Sequence, residues 1–181
     1  MADPEALTRR WLEDYVLALD LCPFAAPVLR SEALRIAVSD TAEPAAQLDC
    51  FLSELDYLQQ RPESEVATTL LVLARGPADF SGFLELVDAS QQLIVETGLE
   101  GIIQLAHFHP AYLFAGEPAG DLSHFTNRSP YPVLHLLREA MLSRVLASYP
   151  DPANIPRRNI DTLRKLGPAA VEERWAKFRA D

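Results

Sequence analysis

The sequence predicts an α/β protein: an α-β-α-β-α-β core with a small parallel sheet, followed by C-terminal helices. Three observations carry that expectation. Apolar residues recur at helical spacing in three separate blocks. Each block is followed by a short run that reads as a strand: ALRIAV, VATTLLVLA and GIIQLAHF. Connections long enough to hold a helix favour parallel pairing through right-handed crossovers. A ferredoxin-like, antiparallel α+β sheet is the alternative, because three strands alone make a small parallel sheet.

The elements follow in order. Asp3 is placed to cap the first helix, with Pro4 in its first turn and Glu5 at the positive end of its dipole. Leu7, Trp11, Leu12, Tyr15 and Leu19 form its stripe, which stops before Cys22-Pro23 because a residue preceding proline is pushed out of the α region. Leu34, Ile36 and Val38 alternate as a strand. Asp40 and Glu43 have capping-box spacing ahead of a helix carrying Leu48, Phe51, Leu52, Leu55 and Leu58. VATTLLVLA reads as a strand covered on both faces. A third helix starts near Asp79, carries Phe80, Phe83, Leu84, Val87 and Ile94, and stops at Gly98. After GIIQLAHF comes a loop of irregular pattern, then a fourth helix from about Pro132 to Ala147. Two shorter helices end the chain, one stopping at Gly167 and one burying Val171, Trp175 and Phe178.

Composition narrows the function. A length of 181 residues suits one globular domain. The net charge of −10 repels phosphodiester backbones, so nucleic acid is not an expected partner. No apolar run approaches the roughly 20 residues of a membrane span. The start, MADPEALTRRWLEDYV, lacks a secretory apolar core, and a cytoplasmic protein is expected. Cys22 and Cys50 form neither a disulfide framework nor a zinc motif. Basic residues gather between Arg157 and Arg179, as either a docking surface or a solvated helical tail.

The chemistry concentrates in QLAHFHPAYLFAGEPAGDLSHFTNRSPYP, residues 104–132. His107 and His109 sit two apart at a strand end, so both rings share a face. With Asp121 and His124 they are candidate ligands for a divalent metal. Hydrogen-bonded structural histidines are the competing reading. In NRSPYP, Ser129 is the expected cap of the fourth helix. Arg128, unfavourable at a helix start, points to anion binding with Asn127 and the Ser129 hydroxyl, or to a salt bridge with a surplus carboxylate. His135 and Arg138, three apart on that helix, face either water, which is the expectation, or the loop, where they would join the ligand-binding set. Cys22 precedes a proline as in thiol redox motifs, but no cysteine follows at the third position beyond it, so it reads as a packed thiol. In a parallel sheet, Ser39 and Asp40, Arg75 and Gly76, and His107 and His109 all leave from the same edge, where ligands bind.

Taken together, LCPFA, FHPAYLFAG and TNRSPYPVLHLLRE resemble a bacterial family called domain of unknown function 1415 over nearly the whole chain. The matching positions are Cys22, Pro23, Phe24, His109, Pro110, Phe114, Asp121, Asn127, Arg128, Ser129, Pro130, His135 and Arg138. His107 lies outside that motif, which leaves His109, Asp121, Asn127, Arg128 and His135 as the stronger set. The resemblance implies a bacterial, cytoplasmic protein and no particular activity. The first expectation is therefore an enzyme, of hydrolase type, acting on a small anionic metabolite. His109 would be its acid or base, Asp121 its orienting acid, Cys22 an outside nucleophile, and Arg128 and Asn127 its anion clamp. The alternatives are a non-catalytic module binding a small ligand or a protein, and an interaction protein using the basic C-terminal helices.

Overall fold

In the computed structural model, which describes residues 3–179, the first helix begins as its capping signals dictate. Asp3 accepts the Glu5 amide ahead of α1 (Pro4–Trp11). The helix then widens into a π-helical stretch, Leu12–Leu17, whose extra residue per turn keeps Leu12, Tyr15 and Val16 buried beside Trp11. Asp20, at a φ of 52°, stops it. A short helix that the sequence pattern does not reveal, α2 (Ala25–Arg30), follows Cys22-Pro23 directly.

The alternation then runs as expected: β1 (Leu34–Ser39), α3 (Pro44–Gln60), β2 (Thr68–Leu73), α4 (Phe80–Glu96) and β3 (Ile103–Phe108). Asp79 caps α4 by accepting the Gly82 amide, and Gly98 takes the left-handed conformation beyond its end. The cap expected at Asp40 does not form. The helix starts at Pro44, and the turn is held by the Thr41 hydroxyl accepting the Glu43 amide. All six residues of β2 are buried, as its unbroken apolar run requires.

The expected fourth helix is half strand. Residues Val133–Arg138 form β4, and only Glu139–Ser148 form a helix, α5. Leu134, Leu137, Met141 and Val145 fit a helical period, but VLHLL is also a continuous apolar run. Burial on both faces decides it. The strand enters the sheet between β2 and β3, antiparallel to both, giving the order β1-β2-β4-β3. The sheet is therefore mixed and not all parallel. Since β1 and β2 pair in parallel, the ferredoxin-like alternative does not hold either. The class remains α/β. Helices α6 (Ile155–Leu166) and α7 (Pro168–Ala176) finish the chain as expected.

Two larger cores cover the two faces of the sheet, and a smaller cluster gathers Val28, Ala33, Ala67, Leu137, Met141 and Leu142. On one face Leu71, Leu73, Leu134 and Leu136 meet Phe51, Leu55 and Leu58 of α3 and Phe83, Leu86 and Ile94 of α4. On the other, Ile36, Leu70, Val72 and Val133 meet Trp11 and Tyr15 together with Leu163, Val171, Trp175 and Phe178. Each such side chain, fully buried, contributes on the order of 2 kcal/mol by area. Among the described residues no helix is long and apolar enough to cross a membrane.

Candidate functional site

The long loop after β3 is built on its histidines. His109 is 1% exposed and packed against Phe80 and Phe83. Its Nδ1 accepts the Ala111 amide at 3.0 Å, so the ring proton sits on Nε2 and is donated to the Pro77 carbonyl, also at 3.0 Å. His124, fully buried, repeats the device: Nδ1 accepts the Phe114 amide and Nε2–H donates to the Pro118 carbonyl. Both rings satisfy backbone groups of a loop that has no regular ladder to join. His107 shares the face of His109, as strand alternation requires, and stacks on Tyr112 with its Nδ1 unpaired. Burial pushes the pKa of both His107 and His109 below the ordinary histidine value.

The hydrogen bonding differs from the arrangement expected for the catalytic roles. His109 has no free nitrogen with which to act as acid or base. Asp121 does not orient it: its carboxylate accepts the Ser123 amide, capping the short 3-10 helix Leu122–Thr126, and pairs with Arg164 at 3.2 Å. Those contacts, the Ser123 amide first, hold its pKa below the usual carboxylate range. His107, His109, Asp121 and His124 do not converge. Among the described residues there is no group of three or more His, Cys, Asp or Glu able to hold a metal.

The expected anion clamp is dispersed as well. The Arg128 guanidinium lies over the Phe125 ring, 4.0 Å from its centre, with Nε buried and unpaired. Ser129 caps no helix, because a strand follows; its hydroxyl donates to the Tyr131 carbonyl. Arg75 is exposed at the end of β2. Arg138, expected on an exposed helical face, instead donates to the carbonyls of Leu58, Arg61 and Val66 and ties the end of α3 to the sheet. Of the basic C-terminal residues, Arg158, Arg164 and Arg179 are engaged with Asp20, Asp121 and Glu172.

What the fold does assemble is a cavity of about 660 Å³ between the sheet and the helices on the side away from α3 and α4. Trp11, Leu12 and Val16 form one wall, and Phe24, Ala25 and Val28 of the α2 region another. Leu34, Leu70, Ala106, Phe108 and Leu137 make the sheet floor, and Met141, Ile155 and Ile160 close the side. Ala115, Glu117 and Pro156, all exposed, mark the mouth. Cys22, Asn127 and His135, named from the sequence, reach this cavity; His107, His109, Arg75, Arg128 and Arg138 do not. Among the described residues, Glu117 is the only one in the lining with a formal charge.

Polar groups are sparse in the lining. Thr68 and His135 meet on the floor at 2.8 Å. Asn127 donates to the His107 carbonyl and accepts the Thr126 hydroxyl. Asn159 donates to the Leu21 carbonyl at 2.6 Å, but its Oδ1 is buried without a partner, as is Nε1 of Trp11. Burial raises the Cys22 thiol pKa, and the Phe24 and Ala25 amides at its sulfur offset only part of that rise. His135 is pushed down to about 4 by burial. Thr68 and Asn159 were not singled out from sequence, and Trp11 was read only as part of the apolar stripe of the first helix. Thr68 gives a signal only as part of the Thr68-Thr69 pair, two hydroxyls that open an otherwise apolar buried strand.

Residues 3–173 match the model of a family described as Protein of unknown function (DUF1415). No curated protein and no solved structure matches the chain.

Proposed function

We propose, for a chain that belongs to the DUF1415 family, that it binds a small, neutral, largely apolar molecule in the cavity between the sheet and the α1, α2 and α6 helices. The carrying observation is the lining itself. A cavity of about 660 Å³ has the size of sites that take small molecules. Its walls are apolar, with a few polar groups at separate points, which is how such sites bind and orient a ligand. The lone formal charge, at the mouth, is negative. No cation waits inside for a carboxylate or phosphate, and burying an anion there would cost several kcal/mol or more. That argues against the anionic metabolite expected from the sequence.

Catalysis retains one supporting observation: Cys22 and His135 line the same cavity. Burial works against them as a nucleophile and its base. The thiol lies above its ordinary pKa and the imidazole far below, so transfer of the thiol proton to the ring is strongly uphill. Binding without covalent chemistry is the better-supported reading.

Cys22 supplies the test. A neutral alkylphenol or alkyl ether that occupies the cavity should slow alkylation of Cys22 and raise the melting temperature, while alkylation of Cys50, outside the cavity, is unchanged when read peptide by peptide. Ala106→Phe, which fills the floor beside His135, should abolish the protection with the fold retained. Protection by carboxylates or phosphate esters, and by no neutral compound, would overturn the proposal.

A further inference from the structure

One atom on the cavity floor has a hydrogen-bonding role that its neighbours dictate. The Thr68 hydroxyl lies 2.6 Å from the Leu136 carbonyl oxygen, which can only accept. The single hydroxyl hydrogen is therefore spent on Leu136. Thr68 Oγ1 also lies 2.8 Å from His135 Nε2, so in that contact the imidazole must donate. His135 accordingly carries its proton on Nε2. The ring sits on the central strand between Leu70 and Ala106, with Phe108 6.1 Å away, and no carboxylate forms an ion pair with it among the described residues. It stays neutral, and Nδ1 is a bare lone pair. No described residue donates to Nδ1, and it is not among the sealed, unpaired atoms of the interior. It belongs to a residue that lines the cavity.

We infer that His135 Nδ1 is the recognition acceptor of this cavity, and that the ligand presents to it a neutral hydrogen-bond donor, a hydroxyl or an amide N–H, on an apolar body. This rests on the cavity being the binding site. It adds the polarity of the ligand's anchoring group, which the apolar lining alone does not specify. The donor is neutral because no carboxylate beside the ring would stabilise a desolvated ammonium. It is a donor, and not an acceptor such as an ether or ketone, because the one ring N–H is already committed to Thr68. The arrangement resembles a ligating histidine whose tautomer is fixed by the group on its other nitrogen, with an organic donor in the place of a metal.

A matched pair tests the inference. 4-Hexylphenol and 4-hexylanisole have similar bodies, and only the phenol can donate. Both should protect Cys22 from alkylation in the wild-type protein, with the phenol binding about ten-fold more tightly. In His135→Leu the anisole should still bind and the preference should fall to about two-fold or less. Equal affinities in the wild type, with Cys22 protected by both, would overturn the donor inference and leave the cavity reading standing. Protection by neither would overturn both. The ¹⁵N spectrum of the wild-type imidazole is independent of whether the variant folds. It should show His135 protonated at Nε2 and bare at Nδ1, with the Nδ1 signal moving upfield when the phenol binds and not when the anisole does. A ring protonated at Nδ1 would refute the inference outright.

Discussion

Acid should destabilise this protein through His135 in a defined pH window. The ring is pushed from the ordinary 6.5 down to about 4 because burial on the central strand disfavours the imidazolium. In the unfolded chain the same ring takes a proton at about 6.5. Between the two values the unfolded state binds more protons, so stability rises with pH across that interval. The contribution is complete above about pH 6.5, falls as the pH drops, and is fully lost below about 4. Each tenfold difference in proton affinity between the folded and unfolded chain is worth about 1.4 kcal/mol. The ceiling is then about 3 kcal/mol, of which about 2 kcal/mol disappears between pH 7 and pH 5. His107 and His109 move in the same direction, so the wild-type profile alone mixes three rings. The difference between wild type and His135→Gln cancels the other two. Urea unfolding at pH 7 and pH 5 should show the wild type losing about 2 kcal/mol more than the variant. Parallel losses would mean that the ring is not held neutral by burial, and the tautomer argument built on a neutral ring would fail with it.

Two further outcomes follow from the hydrogen bonding. Arg138→Met should cost about 3 kcal/mol in urea unfolding, because the carbonyls of Leu58, Arg61 and Val66 lose a charged donor together, and Arg138→Lys should recover only part of it. His124→Phe keeps a ring against Phe114 but strands the Phe114 amide and the Pro118 carbonyl. It should cost about 2 kcal/mol and raise amide exchange across residues 110–127, while leaving the exchange of β2 unchanged.

Much of the fold was legible because its signals are local. The Asp3 cap and Pro4 at the start of α1, Asp79 ahead of α4, and the unbroken run of β2 each act within a few residues, and each appears where the pattern puts it. What escaped was decided by pairing at a distance. VLHLL satisfies a helical and a strand period equally. The choice was made by β2 and β3, neighbours roughly 30–65 residues away in sequence that leave a gap only a strand can fill. Helix α2 escaped for a different reason. Six residues carry less than two turns, too few for a periodic stripe, and Pro27 sits within them.

Several candidate residues were legible in the sequence, but the partners that occupy them were not, and a single cause explains both. A segment such as 104–132 must satisfy its backbone without a ladder, so it recruits side chains with two hydrogen-bonding ends. Imidazoles and carboxylates do this best, and they are also the residues from which active sites are built, so composition cannot separate the two uses. Partners can. His109 and His124 spend both nitrogens on backbone groups, and Asp121 spends its carboxylate on a cap and on Arg164. His135 spends one nitrogen and keeps the other. His135, kept among the stronger candidates from sequence but assigned to the outer face of a helix, stands on the floor of the cavity once that helix becomes a central strand. The change of secondary structure at residues 133–138 therefore also moves the candidate site: a ring expected on the outside of a helix becomes a half-buried ring in the lining of the cavity that Cys22 also lines.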